Sequence, residues 1–164
     1  MKTGIKGIEL IKQFESLHDG DLSQIGLQPK MCPANVWTEG YGRAMRYKGS
    51  FLKGFENKKL AYSLATIKNE KEAEKALIDD LKIYERIAIS KLKVLVNQNQ
   101  FDALVSHTYN TGGSSTLFKL VNQKESDALI RNWFEKKYIT GGGKVLKGLV
   151  RRRKAEADLF FSAK

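Results

Sequence analysis

The sequence predicts an α+β fold in a single domain, residues 1–164, with a small β-containing lobe at about 18–65 and a larger, mainly helical lobe at 66–164. Three observations carry that expectation. Apolar residues recur at helical spacing over 4–17 and again through most of the chain after Thr66. Residues 18–58 hold six of the 14 glycines and both prolines, with short apolar stretches between them. Within that region, residues 36–41 (VWTEGY) form a locally alternating segment of the kind that makes a half-buried strand.

Each element has its own reason. Ile5, Ile8, Ile11 and Phe14 follow one another at steps of three, with Leu10 and Leu17 nearby, so 4–17 reads as an amphipathic helix ending near Ser16. Glu15 then falls at the negative end of the helix dipole, an unfavourable place for an anion. Asn69 followed by Glu72 reads as a capping box, and Ala73, Ala76, Leu77, Leu81, Tyr84 and Ile87 share one helical stripe beyond it. That helix is long enough to link the two lobes. Asn97 or Asn99 caps a further helix burying Phe101, Leu104 and Val105. Residues 110–115 (NTGGSS) break it and cap the next, which carries Leu117, Leu120 and Val121. Another helix starts near Ser126 and buries Trp133 and Phe134. Gly141, Gly142 and Gly143 read as a mobile turn before a last helix from about Leu149 to Phe161.

Composition excludes several classes. The single cysteine, Cys32, cannot form an internal disulfide, so this is no disulfide-framework protein. The two histidines, His18 and His107, are too far apart in sequence for a zinc finger. No metal site and no cofactor are expected. No stretch of about 18 apolar residues is present to cross a membrane. Lys6, Glu9 and Lys12 interrupt the apolar residues near the start, which is not a clean signal peptide. The expectation is a protein kept in the cytoplasm until something releases it.

The 29 Lys and Arg against 18 Asp and Glu give a net charge of +11, which points to a polyanionic partner. Residues 135–164 hold nine of those cations against three acids, over half of the excess. Arg151, Arg152, Arg153 and Lys154 are the densest run. They read either as a solvated helix face, with Arg152 paired to Glu156 at i, i+4, or as a contact for an anionic surface. No nucleic-acid recognition pattern accompanies them. Residues 40–45 (GYGRAM) start like a dinucleotide fingerprint but lack the third glycine, and the run before Gly143 and Lys144 has Tyr138 where a phosphate loop needs its first glycine.

Chemistry concentrates at Glu15 and at residues 32–43 (CPANVWTEGYGR). Cleaving a glycosidic bond needs an acid for the leaving oxygen and groups that hold a water across the sugar ring. A glutamate at a helix end beside a hairpin of small polar groups can supply both, although a frayed-end surface glutamate looks the same in sequence.

The order of segments resembles the phage-type lysozymes (endolysins, muramidases) of glycoside hydrolase family 24. The matching pieces are residues 7–15 (GIELIKQFE), 32–42 (CPANVWTEGYG), 100–104 (QFDAL), 109–112 (YNTG), 115–117 (STL) and 148–153 (GLVRRR). The resemblance implies a lysozyme-like fold with two lobes flanking a cleft and the 4–17 helix beside it. It implies Glu15 as general acid, Cys32 at the family's Asp-or-Cys position and Thr38 five residues further on. It also implies sugar contact by Tyr109 and Asn110, whose other reading is helix-end packing and capping. The implied reaction is hydrolysis of the β-1,4 bond between N-acetylmuramic acid and N-acetylglucosamine in peptidoglycan, by a monomer that lyses bacterial cells. The implied route is from host cytoplasm to wall through a holin-type pore, with export by a bacterial secretion system as the alternative. Peptidoglycan is then the partner, and the basic C-terminal helix would hold an anionic envelope surface, with no specific nucleic acid.

Three departures from the family's pattern matter. Sixteen residues separate Glu15 from Cys32, where the family commonly has eight, and the extra 18–30 material brings Asp19 and Asp21 as substitute carboxylates or plain turn residues. A thiol is largely protonated at neutral pH, so Cys32 is expected to position water with Thr38 rather than act as a base; its other reading is a small buried hydrophobe. Arg43 stands where the family usually has His, and a substituted ion pair is expected, with Glu39 one possible partner. These departures keep a second reading open, a lysozyme-fold wall-binding protein with impaired catalysis.

Overall fold

The computed structural model describes residues 1–163. From the N-terminus the elements are α1 (Ile5–Glu15), β1 (Lys30–Met31), β2 (Trp37–Glu39), β3 (Arg43–Ala44), β4 (Arg46–Tyr47), β5 (Ser50–Phe51), a 3-10 turn (Phe55–Asn57) and α2 (Lys58–Leu64). They continue with α3 (Glu70–Lys91), α4 (Gln98–Thr111), α5 (Ser115–Asn122), α6 (Asp127–Lys136), β6 (Thr140–Gly141), β7 (Lys144–Val145) and α7 (Lys147–Phe160). The fold is α+β as expected. No helix among the described residues is long and apolar enough to cross a membrane. The chain divides into two compact units, one of residues 15–80 and one of residues 1–14 with 81 onward. The division within α3 comes fifteen residues later than the seam expected at 65, because α2 and the first turns of α3 pack with the strands.

In the 15–80 unit, β1, β2 and β3 form an antiparallel sheet in that order, with Lys30 opposite Thr38 and Glu39 opposite Arg43. β4 and β5 form a separate hairpin. Trp37, Met45, Leu52 and Ala61 make the core, with Met31, Leu60 and Tyr62 against it. All three residues of β2 are buried, so the alternation in 36–41 does not mark a solvent face. Glu39 survives there because its carboxylate accepts from the Thr66 amide (2.9 Å), the Thr66 hydroxyl (3.0 Å) and the Ile67 amide (3.1 Å). Gly40 has φ 58°, and a Cβ there would meet Ile67 at 2.9 Å, so a side chain is doubly excluded.

In the helical unit, α4 is buried from Phe101 to Thr108 and packs on α7, which packs on α6. Local caps start the helices. Asn97 and Gln100 exchange both capping-box bonds at 2.9 Å, and Ser114 and Ser126 accept from Leu117 and Leu129. Asn69 caps α3 through the Glu72 amide, but the Glu72 side chain reaches the Lys68 amide instead of closing the box. Asn99, the alternative cap of α4, is buried and donates to Ser162 and Ala163.

α1 has no acidic residue of its own in the first turn. Asp102 of α4, 1% exposed, supplies the anion: its carboxylate accepts from the Gly4 amide (2.8 Å) and the Gly7 amide (3.2 Å). A Cβ on Gly7 would lie 2.8 Å from the Asp102 Cβ, so glycine is what lets α4 come this close. Ile5, first in the expected stripe, is 81% exposed, and the inward face centres on Gly7 and Ile11.

Two expectations about the C-terminal region change. The glycines at 141–143 form a defined hairpin, β6 with β7, in which Gly142 and Gly143 supply two consecutive positive φ values, 56° and 77°. The basic run is neither a solvated face nor a whole contact surface. The Arg152 and Arg153 side chains are 4% and 0% exposed, and both pair with Glu156, itself fully buried. Glu156 also accepts from the Ser106 hydroxyl at 2.8 Å, and Arg153 donates to the Asn110 side-chain carbonyl at 2.7 Å. The i, i+4 pairing of Arg152 with Glu156 holds, but inside the protein.

His107 lies beside this cluster, ringed by Trp133, Phe134 and Tyr138. The Thr111 hydroxyl donates to the His107 carbonyl at 2.8 Å, so His107 Nδ1 donates to that hydroxyl at 3.2 Å and Nε2 stays bare. Burial, then Arg153 and Arg152, push its pKa down to about 3.

Two stability predictions follow from these contacts. Asp102→Asn keeps the shape but removes the charge and one acceptor at the α1 N-terminus; unfolding in urea should show a loss of about 2 kcal/mol. A histidine whose folded pKa lies below its unfolded value stabilises above the unfolded pKa and loses that contribution as pH falls. Between about pH 6.5 and 4 the protein should therefore lose roughly 3 kcal/mol through His107, and His107→Phe should flatten that part of the profile.

Candidate active site

α1 ends on Glu15 because Ser16 takes a left-handed conformation, φ 59°, which stops the helical ladder. This puts the half-buried Glu15 carboxylate at the edge of a cavity of ≈ 570 Å³ inside the 15–80 unit. Ser16, Leu17 and His18 line it from the chain that leaves α1; Lys30, Met31, Cys32 and Pro33 line it from β1 and the turn that follows, and Phe55 from the 3-10 turn.

Cys32 opens the turn from β1 to β2. Its amide donates to the Val36 carbonyl and its carbonyl accepts from the Asn35 amide, both at 2.9 Å, with Asn35 left-handed at φ 60°. The turn consumes the backbone polar groups of Cys32, and the half-buried residue, its thiol free of any disulfide, lines the cavity. Glu15 and Cys32 thus share one cavity despite the sixteen residues between them. Thr38 is 5% exposed on β2, directly opposite Lys30, and its hydroxyl donates to the Lys30 carbonyl at 2.8 Å. Its proton is committed to the sheet, and Thr38 itself does not line the cavity.

Tyr109 and Asn110 belong to the other unit. Tyr109 stacks edge-on against Tyr84, with ring centroids 4.8 Å apart, and the Asn110 carbonyl oxygen serves Arg153. The inserted aspartates are turn organisers. Asp19 accepts from the Asp21 and Gln28 amides. Asp21 accepts from the Ser23 hydroxyl, the Gln24 side chain and the Ser23 amide, which in that order hold its carboxyl below the usual range. Neither lines the cavity.

Of the cavity residues only Glu15 and Cys32 were expected at a site; His18, Lys30, Met31 and Phe55 are among those the sequence reading missed. His18 Nδ1 and the His18 amide both reach the Gly40 carbonyl, at 3.0 and 2.9 Å. A carbonyl only accepts, so Nδ1 carries the proton in that contact. Arg43 makes the expected ion pair, but with Asp80 rather than Glu39: two bonds of 2.9 Å join guanidinium and carboxylate, and a third of 2.8 Å reaches the Ala76 carbonyl. Among the described residues, no group of three or more His, Cys, Asp or Glu side chains could hold a metal ion.

The phage lysozyme family model matches residues 22–156. The chain belongs to the phage lysozyme family. That match includes Cys32, Thr38, Tyr109 and Asn110 and begins after Glu15. An endolysin of Bacillus phage PZA is 36% identical over 166 residues, covering 99% of this chain and 56% of its own length. An endolysin of Acyrthosiphon pisum secondary endosymbiont phage 1 is 30% identical, covering 96% of this chain and 97% of its own. The solved endolysin of Escherichia coli O157:H7 phage FAHEc1 superposes with a TM-score of 0.68 at 30% identity, covering 98% of this chain and 94% of that one. The chain spans about half the length of the Bacillus phage relatives it matches.

The Arg43–Asp80 pair is partly exposed and two-pronged. Arg43→Lys keeps the charge but loses the fork and the Ala76 bond; thermal unfolding should report a loss of about 1 kcal/mol.

Proposed function

We propose that this protein is a peptidoglycan hydrolase that cleaves the β-1,4 bond between N-acetylmuramic acid and N-acetylglucosamine. The observation that carries the reading is the shared cavity of Glu15 and Cys32 in a member of the phage lysozyme family. Glu15 gives its proton to the glycosidic oxygen as the C1–O bond breaks. Cys32 positions the water whose oxygen bonds to C1, and Thr38 supports it from β2 by holding the carbonyl of Lys30, another cavity residue. The proton released from that water goes to solvent, and Glu15 is reprotonated for the next cycle. The protein works as a monomer without a cofactor, reaches the wall from the host cytoplasm through a holin-type pore, and lyses the cell.

Clearing of purified peptidoglycan, with mass analysis of the fragments released, tests this. Glu15→Gln should lower the rate by at least about 100-fold with folding intact. Equal clearing by Glu15→Gln and the parent would overturn the reading. If Cys32 positions water, Cys32→Ser keeps much of the activity and Cys32→Asp keeps or exceeds it. Abolition by Cys32→Ser in a folded protein would instead make the thiolate the working group.

A further inference from the structure

We propose that residues 46–59 form a docking face for the acidic stem peptides of the glycan strand held at the Glu15 cavity. The inference rests on the peptidoglycan reading above and adds to it how the polymer beyond the scissile bond is gripped.

This stretch carries five cations, Arg46, Lys48, Lys53, Lys58 and Lys59, against one acid, Glu56. Three of them lie against rings, and Arg46 also donates to the Gly49 carbonyl at 3.1 Å. The Arg46 guanidinium lies 3.9 Å over the Phe51 ring, Lys48 is 5.3 Å from the Tyr47 ring and Lys58 is 5.2 Å from the Tyr62 ring. Among the described residues none of the five forms a contact ion pair with a carboxylate, although Lys58 lies near enough to Asp21 to help lower its carboxyl. This is the reverse of the C-terminal run, where Arg152 and Arg153 are spent on Glu156 and Lys154 on Asp158.

The face is also aromatic. Tyr47, Phe51 and Phe55 are 42%, 46% and 69% exposed. The pleat explains Phe51: Met45 and Leu52 turn into the core with Trp37, so Arg46, Phe51 and Lys53 turn away from it, while Tyr47 is exposed at the tip of the hairpin. Phe55 is held in place by its neighbours. Its ring centroid is 6.1 Å from that of Trp37, and the Trp37 indole donates to the Gly54 carbonyl at 2.8 Å.

Continuity selects the occupant. Phe55 lines the Glu15–Cys32 cavity and belongs to the cationic stretch, so a polymer lying in the cavity runs onto this face. A glycan strand offers C–H faces of sugars to the rings. Its muramic lactyl groups carry peptides whose free carboxylates suit the ammonium groups. A phosphate polymer or an anionic membrane shares the charge, but neither is what the cavity holds.

The test is co-sedimentation with peptidoglycan stripped of phosphate polymers, at about 50 mM and about 300 mM salt. Lys53→Gln/Lys58→Gln/Lys59→Gln should bind about tenfold more weakly than the parent at the lower salt, with the difference shrinking at the higher. Lys136→Gln/Lys137→Gln/Lys144→Gln removes equal charge elsewhere and should stay within about twofold. Amidating the peptide carboxylates should weaken the parent by the same factor as the first variant. Equal loss in both triple variants, or no loss in either, overturns the proposal. So does a loss seen only with walls that keep their phosphate polymers, or only with vesicles of anionic lipid. Fragment release by the parent is read separately: binding without release overturns the hydrolase reading and leaves the docking face standing.

Discussion

Glu156 is shut off from water, and its carboxylate meets Arg152, Arg153 and the Ser106 hydroxyl. Burial pushes this carboxyl up, and the two guanidiniums and the hydroxyl oppose that. Burial, and after it Arg152, likewise push Arg153 down, while Glu156 opposes them without reversing the shift. None of the three charges is tolerable alone in such a place, and the arrangement persists because each answers the others. The consequence is mechanical. α7 cannot slide along α4 without stranding a charge, since Ser106 and Asn110 on α4 hold the same cluster. The Arg152 guanidinium also lies 5.8 Å over the Phe14 ring, so α1 is tied to it as well.

α4 therefore hands something to both its neighbours. Near its N-terminal end Asp102 completes the first turn of α1, and further along its hydroxyl and amide side chains steady the α7 charges. His107, between these stations, is kept neutral by the same desolvation that makes the cluster demanding.

What could be read from the sequence was local. The caps at Asn97, Ser114 and Ser126 depend on residues within four positions and appear as expected, while Asn69 caps α3 without closing its box and the α1 stripe loses Ile5 to solvent. Glu15 was legible as a helix end because the apolar spacing stops there, and Cys32 because a matching segment surrounds it. What stayed hidden depends on distant partners. Arg152 and Arg153 look like surface charge until α4 is laid against them. Arg43 finds Asp80 rather than its sheet neighbour Glu39, whose carboxylate is already committed to Thr66 and Ile67. His18 and Phe55 had no motif to announce them; the turn at 32–36 and the left-handed Ser16 bring them to the cavity.

Gly4 and Gly7 admit the Asp102 carboxylate to the start of α1, and Gly7, inside the helix, also makes it poor in its own right. A glycine within a helix costs about 1 kcal/mol relative to alanine, and an eleven-residue segment is too short to hold its shape unaided in water. The helix is thus a borrowed one. Its order is on loan from a residue 98 positions along the chain. A fragment ending before α4 would contain Glu15, Cys32 and Thr38 and still lack a settled α1.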